Sequence, residues 1–369
     1  MRWVVPFNDL RPALERQHDE LLEAARRVIA SGHFILGPEV EKFEDWLRQR
    51  TGRKHAIGVA NGTDAIELAL RVCHQAATPD GPRSCMKYVL TVANSAPATV
   101  AAIQRAGLRP RYVEVRPDGQ MSLDALNHAD WRGVCAVLPV HLHGLAPDMY
   151  GIWLVARARG VPVVEDAAQA LGSHAVGWSD IACYSFYPTK NLGALGDGGA
   201  ITTDHLGYAD MVRAIRFYGM RDADRPELRQ TFEGVNSRLD EMQAAFLMTR
   251  AQRFDVESEE RQMLANYYYH QINRALLPWD AEARKDLSYH LFTIRVRERE
   301  EVRRRLADQG VQTAIHYPIP AHEQKPTYSL EELPETEAFC RQTLSLPLWI
   351  GMTKKDQNWV LQSLERALV

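Results

Sequence analysis

Apolar runs of strand length alternate with helix-period segments through the first two thirds of the chain. The candidate strands are 55–60 (HAIGVA), 88–93 (YVLTVA), 111–115 (RYVEV), 134–140 (VCAVLPV), 161–166 (VPVVED), 182–187 (ACYSFY) and 200–203 (AITT). Several are almost continuously apolar, the pattern of strands buried on both faces of a sheet. Between them, Ile66, Ala69, Leu70 and Cys73 recur at the spacing of one helix face. This alternation predicts an α/β fold with a mostly parallel, seven-stranded sheet covered by helices. The character changes near Leu239: a long helical pattern runs to about Ala275, followed by a strand at 291–296, a helix and a strand-like stretch at 311–318. The expected division is a large α/β domain, 1–247, and a smaller α+β domain, 248–369.

Composition narrows the function classes. The 369 residues carry a formal net charge of -3, without the basic excess of a nucleic-acid binder. The densest basic stretch, Arg295 to Arg305, is interleaved with Glu298, Glu300 and Glu301, which reads as a solvated helix face. No apolar run approaches the roughly 20 residues that span a bilayer, and the first residues lack a signal-peptide pattern. Five scattered cysteines without a CxxC pair point to reduced thiols and a cytoplasmic location.

Three segments carry candidate chemistry. Asn61-Gly62-Thr63 follows a strand and opens a helix; free N–H groups there attract phosphate, although Asn and Thr also serve as ordinary caps. Asp166 ends a buried strand, where α/β sheets bind ligands; it suits a protonated pyridine nitrogen, or equally the N-cap of a following helix. Lys190 sits just beyond another buried strand, in a turn with Gly193, Gly196, Gly198 and Gly199. A desolvated lysine loses its proton more readily and becomes a Schiff-base nucleophile. A lone lysine would otherwise be a surface charge, but the glycines argue for tight packing around a site. Ser185 is placed to donate to the same phosphate.

The order of phosphate loop, strand-end Asp, Ser and Lys is that of fold-type I pyridoxal-phosphate enzymes. The chain resembles the DegT/DnrJ/EryC1/StrS sugar aminotransferases from end to end. The resemblance runs through PFNDLRP, GHFILGPEVEKFE, VANGTDAIELAL, PVHLHGLAPDM, VVEDAAQALGS, YSFYPTKNLGALGDGGAITT, NSRLDEMQAA, IHYPIPAH and TLSLPL. It implies pyridoxal 5'-phosphate as cofactor, with Lys190 as Schiff-base lysine and proton shuttle. Asp166 pairs with the pyridine nitrogen, and Gln169 lies beside the ring. Gly62, Thr63 and Ser185 hold the phosphate, joined by Asn236 from the neighbouring subunit of a homodimer with shared active sites. His316 and Tyr317 are implied near the substrate, with Tyr218 and Arg221 as further candidates. Glutamate is the implied amino donor and a nucleotide-linked keto-sugar the acceptor. The phrases HLHG and SFYPTKNLGALGDGG resemble those of enzymes acting at carbon 3 of dTDP-linked 3-keto-6-deoxyhexoses.

The chain departs from the family at Ala96, where relatives carry an aromatic that stacks on the ring, and the segment Pro79 to Lys87 is also atypical. The other readings are amination at carbon 4 or of a cyclitol ketone, and a non-catalytic regulatory protein that keeps the fold. Lys190 speaks against the dehydratases, which carry His there. His141 and His143 would share one face of a strand, but no third ligand is evident, so no metal is expected.

Overall fold

The computed structural model describes residues 3–77, 87–173, 177–220, 230–279, 287–327 and 329–369. All seven expected strands are present: β1 (His55–Val59), β2 (Tyr88–Thr91), β3 (Arg109–Tyr112), β4 (Val134–Leu138), β5 (Val164–Asp166), β6 (Ile181–Ser185) and β7 (Gly199–Thr203). They pair as β1-β7-β6-β5 and β3-β2-β4, and parallel bridges Val137–Val163 and Val140–Asp166 join the two sets. Only β7 runs against its neighbours; the remaining pairings are parallel. The carboxyl ends of β1, β2, β4, β5 and β6 therefore open along one edge, the ligand-binding edge of such sheets. The reversed β7 brings its first residue, Gly199, to that edge beside Val59 and Ser185.

The sheet is covered as the periodicity requires. The helix Gly62–Ala77 buries Ile66, Ala69, Leu70 and Cys73 against Val89, Val164, Ile181 and Ile201. Burial of each larger side chain contributes roughly 1.5–3 kcal/mol. The helix is started by Asn61, whose side-chain oxygen accepts the Asp64 N–H at 2.8 Å.

A second core lies in the C-terminal part. Strands β8 (Phe292–Arg295) and β9 (Thr343–Leu346) pair antiparallel. Phe292, Ile294, Leu344 and Leu346 cluster with Leu264, Tyr268, Leu306, Val360 and Leu364 from three helices, and with Val5 and Leu145 from earlier in the chain. Residue 247 falls within the helix Glu241–Ala251, whose Ala244 and Leu247 still cluster with sheet residues Ala182, Tyr184 and Ala200.

Four local expectations are corrected. The long helical pattern from Leu239 is two helices, Glu241–Ala251 and Phe254–Gln271, because the chain turns at Gln252–Arg253. The stretch 311–318 makes only isolated bridges, at Val311 and Ala314. In the mixed-charge stretch, Arg304 is solvated as expected, but Arg299 is buried and donates to the Cys340 carbonyl. Finally, β4 ends at Leu138, so His141 and His143 do not share a strand face; Leu142–Gly144 is a tight turn with His143 at φ 62°.

Candidate active site

The site is built at the open edge of the sheet. Asp166, the last residue of β5, is buried. Its Oδ2 accepts the Thr99 hydroxyl at 2.7 Å and its Oδ1 the Ala168 N–H at 3.2 Å. Among the described residues no helix lies between β5 and β6, and none starts at Asp166, which removes the N-cap alternative. Gln169, three residues on, accepts the His143 N–H at 2.6 Å, and its amide nitrogen lies 3.4 Å from the Tyr317 hydroxyl.

Lys190 lies beyond the end of β6. Its backbone N–H donates to Tyr187 at 2.8 Å, closing the turn that turns the side chain inward. Burial lowers its ammonium pKa from 10.5 to about 8, and the Asp166 carboxylate opposes that shift. His316 and His290 stand within reach of its charge, and His143 is bonded to the His316 carbonyl. Burial holds His143 near 3; burial and then the Lys190 charge hold His316 near 4. The same two causes keep His290 far below its usual range. All three are neutral at physiological pH. Tyr317 is pushed up to about 12 by burial and then by Asp166, so its hydroxyl keeps its proton.

The loop expected to hold phosphate faces Ser185 at close quarters. A Cβ on Gly62 would lie 2.6 Å from Ser185 Cβ, and one on Gly199 would lie 2.3 Å from the carbonyl of Asn61. Only glycine at these two positions lets the helix N-terminus, β6 and β7 converge. Thr63 is partly buried beside them. Asn236 and Tyr218 are exposed, and a bridge from Phe217 to Asn236 sets them side by side; Ser237, the next residue, accepts the Ala60 N–H at 3.1 Å, which ties this segment to the start of the loop. Arg221 lies outside the described residues, as does the atypical stretch except for Lys87.

The comparisons with known proteins fit this geometry. The model of the DegT/DnrJ/EryC1/StrS aminotransferase family matches residues 15–365. The chain belongs to that family. It is 39% identical to the dTDP-3-amino-3,4,6-trideoxy-alpha-D-glucose transaminase of Streptomyces venezuelae, over 93% of this chain and 91% of that one. It is 33% identical to the UDP-N-acetyl-3-dehydro-alpha-D-glucosamine 3-aminotransferase of Acidithiobacillus ferrooxidans, over 99% and 98%. The solved structure of Streptomyces venezuelae DesV superposes with a TM-score of 0.89 at 35% identity, covering 100% of this chain and 99% of that one. The protein is a pyridoxal-phosphate-dependent sugar aminotransferase of fold type I.

As a family member it needs room and partners for the cofactor, and its residues fit them. The close approach of Gly62 to Ser185 sets the start of the helix beside a hydroxyl, two kinds of donor that suit a phosphate. Asp166 presents an acceptor at a strand end, and Lys190 an amine with a lowered pKa. Sequence reasoning missed the supports of these groups: Thr99, His290 and the pair Asn191–Ser288, joined at 2.8 Å. Thr99 stands on the helix Pro97–Arg105, which Ala96 caps; the departure at Ala96 thus lies three residues from a direct contact with Asp166. Among the described residues, one group able to converge on an ion is His322, Glu323 and Glu337. Its Glu337 is already paired with Arg341 at 3.3 Å, and it contains none of the expected site residues. No helix among the described residues is long and apolar enough to cross a membrane.

Proposed function

We propose that this enzyme aminates carbon 3 of a dTDP-linked 3-keto-6-deoxyhexose, with glutamate as donor, in two successive half-reactions. The observation that carries the transaminase chemistry is the pairing of a lysine at about 8 with a strand-end aspartate. Support for carbon 3 comes from the two relatives, both named for products or substrates modified there. The second of them favours one further reading, a UDP-linked 3-keto-sugar.

When bound, pyridoxal phosphate supplies the electron sink at the carbon that loses its proton. Lys190 would hold the cofactor and then carry that proton, from a position where orientation supplies most of the gain. Asp166 would keep the ring nitrogen protonated, with Thr99 and Ala168 fixing its two oxygens. Gln169 would border the ring, and Gly62, Thr63 and Ser185 would hold the phosphate. Tyr317 and His316 would meet the sugar, one as a protonated hydroxyl and the other as a neutral imidazole. Exposed Asn236 and Tyr218 support a homodimer in which each chain completes the other's site. A cytoplasmic location accords with four buried free thiols.

The test is a visible spectrum of the purified protein with cofactor, before and after glutamate, then a panel of dTDP- and UDP-linked 3-keto and 4-keto sugars. Bleaching by glutamate and the highest kcat/KM on a dTDP-linked 3-keto sugar are expected. A preference for 4-keto or cyclitol ketones overturns the carbon-3 assignment. A band indifferent to every amino donor replaces it with the non-catalytic regulatory reading.

A further inference from the structure

His143 makes polar contacts in every direction available to it. Its backbone N–H donates to Gln169 Oε1 at 2.6 Å, and its carbonyl accepts the Leu291 N–H at 3.3 Å. Its imidazole Nε2 lies 2.9 Å from the His316 carbonyl, an oxygen that only accepts, so Nε2 carries the hydrogen. Nδ1 is then the acceptor for the Thr293 hydroxyl at 3.4 Å. The ring lies nearly parallel to Phe339, with centroids 6.0 Å apart. His143 is 3% exposed, so it acts only through its neighbours.

Those neighbours form a closed circuit. Gln169 is held by His143; His143 holds the carbonyl of His316; Tyr317 follows His316 in the chain; and the Tyr317 hydroxyl returns to the Gln169 amide at 3.4 Å. Gln169 and Tyr317 come from segments 148 residues apart, and His143 is bonded to Gln169 itself and to the carbonyl of His316, the peptide that leads into Tyr317. The Gln169 carbonyl is fixed separately, by the Ser288 hydroxyl at 2.8 Å. His143 therefore controls the amide end of Gln169 while Ser288 controls its backbone.

We infer that His143 is a positioning residue that locks Gln169 and Tyr317 into one unit facing the acceptor sugar. This rests on the proposed function for what the unit binds, whereas the lock itself is a statement about geometry. A sugar whose carbonyl or hydroxyl meets a Tyr–Gln pair gains two directed partners at once. Loss of the lock costs the acceptor more than the amino acid donor. Its effect belongs in KM for the keto-sugar rather than in the proton transfer at Lys190.

The variants are His143→Phe, which keeps a ring against Phe339 but cannot donate to His316, and His143→Gln, which restores an N–H donor of similar reach. The two half-reactions are followed separately through the cofactor's visible band, and crystal structures of wild type and His143→Phe are compared. In His143→Phe the apparent affinity for the keto-sugar should fall about fivefold to tenfold, the loss expected for one buried hydrogen bond. The glutamate half-reaction should change less, and His143→Gln should recover most of the difference. The Tyr317 hydroxyl should leave Gln169 in the His143→Phe crystal. Equal losses in both half-reactions, or an unmoved Tyr317–Gln169 pair, overturn the inference. Where Phe at this position costs the fold, Thr293→Val removes only the donor to Nδ1. A rise of about twofold to threefold in keto-sugar KM, with the glutamate KM constant, is then expected, and equal movement of both overturns the inference. If wild type accepts neither glutamate nor any keto-sugar, the proposed function falls, and the crystal comparison still decides whether His143 positions the pair.

Discussion

The floor of the pocket and its rim are built on different terms. Floor residues stand at strand ends and are tied within one chain: Asp166 to Thr99 and Ala168, Gly62 against Ser185, and Gly199 against Asn61. The rim presents side chains outward, with Tyr218 at 44%, Tyr187 at 54% and Ile319 at 54% exposure. A group held by the sheet is pre-oriented before any ligand arrives. A group on the rim is left open to solvent, and in the proposed dimer it would take its final surroundings from the substrate and from a second copy of the chain. The groups proposed for cofactor chemistry are thus fixed by the scaffold, whereas those on the rim are exposed and less constrained by packing.

The comparison breaks most sharply at the floor. Lys190→Ala should abolish turnover, by on the order of 10⁴-fold or more, since both the nucleophile and the positioned base vanish. The fold should survive, because the position serves chemistry and the removed ammonium was costly to bury. Steady-state rates and a thermal melt check both halves; wild-type rates would remove Lys190 from the mechanism. Asp166→Asn is the next largest. It keeps the size of the side chain but takes away the charge proposed to face the ring nitrogen, so the half-reaction with glutamate, the proposed donor, should slow on the order of 10²–10³-fold. Phosphate anchoring should persist, which a cofactor titration measures; an unchanged half-reaction rate would sink the role given to Asp166.

The floor was legible because its residues lie at the ends of elements with strong periodicity. Asp166, Ser185 and Lys190 each follow an apolar run, and Gly62 precedes an amphipathic helix, so a one-dimensional pattern locates them. The seven strands were readable for the same reason, since buried strands leave continuous apolar runs. The rest depends on contacts between distant segments. Thr99 is 67 residues from Asp166, and nothing in its own neighbourhood marks it as a partner. His143 looked like half of a strand-face pair; its left-handed turn became visible only once β4 was seen to end at Leu138. The break at Gln252–Arg253 was hidden because both helices carry good helix formers, and a turn there costs the hydrophobic pattern little.

Gly62→Ala probes the floor by volume rather than charge. The new methyl would stand 2.6 Å from Ser185 Cβ, so the helix start or β6 must shift, at about 1–3 kcal/mol for overpacking. Cofactor affinity should drop with it, because the displaced groups are those proposed to hold phosphate. The melting temperature and the cofactor dissociation constant measure the two effects. A stable protein with unchanged affinity would mean that phosphate binds elsewhere.

The smallest effect is a pH dependence carried by Lys190 alone. Its folded-state pKa is lowered from 10.5 to about 8, so between those values the unfolded chain binds a proton that the folded, cofactor-free protein does not. Stability contributed at this site therefore rises as pH increases from about 8 toward 10.5, and below about 8 the burial cost of the ammonium is felt in full. The clean measurement is the difference in urea midpoint between wild type and Lys190→Met across pH 7 to about 10.5, because the other titrating groups are common to both. The variant should be the more stable of the two at pH 7, with the gap closing as pH rises. The rate of reconstitution with cofactor should climb over the same lower range and level off above about 8, where the amine is free. A gap that stays constant with pH would place the Lys190 ammonium in solvent, and the floor would then be no more pre-organised than the rim.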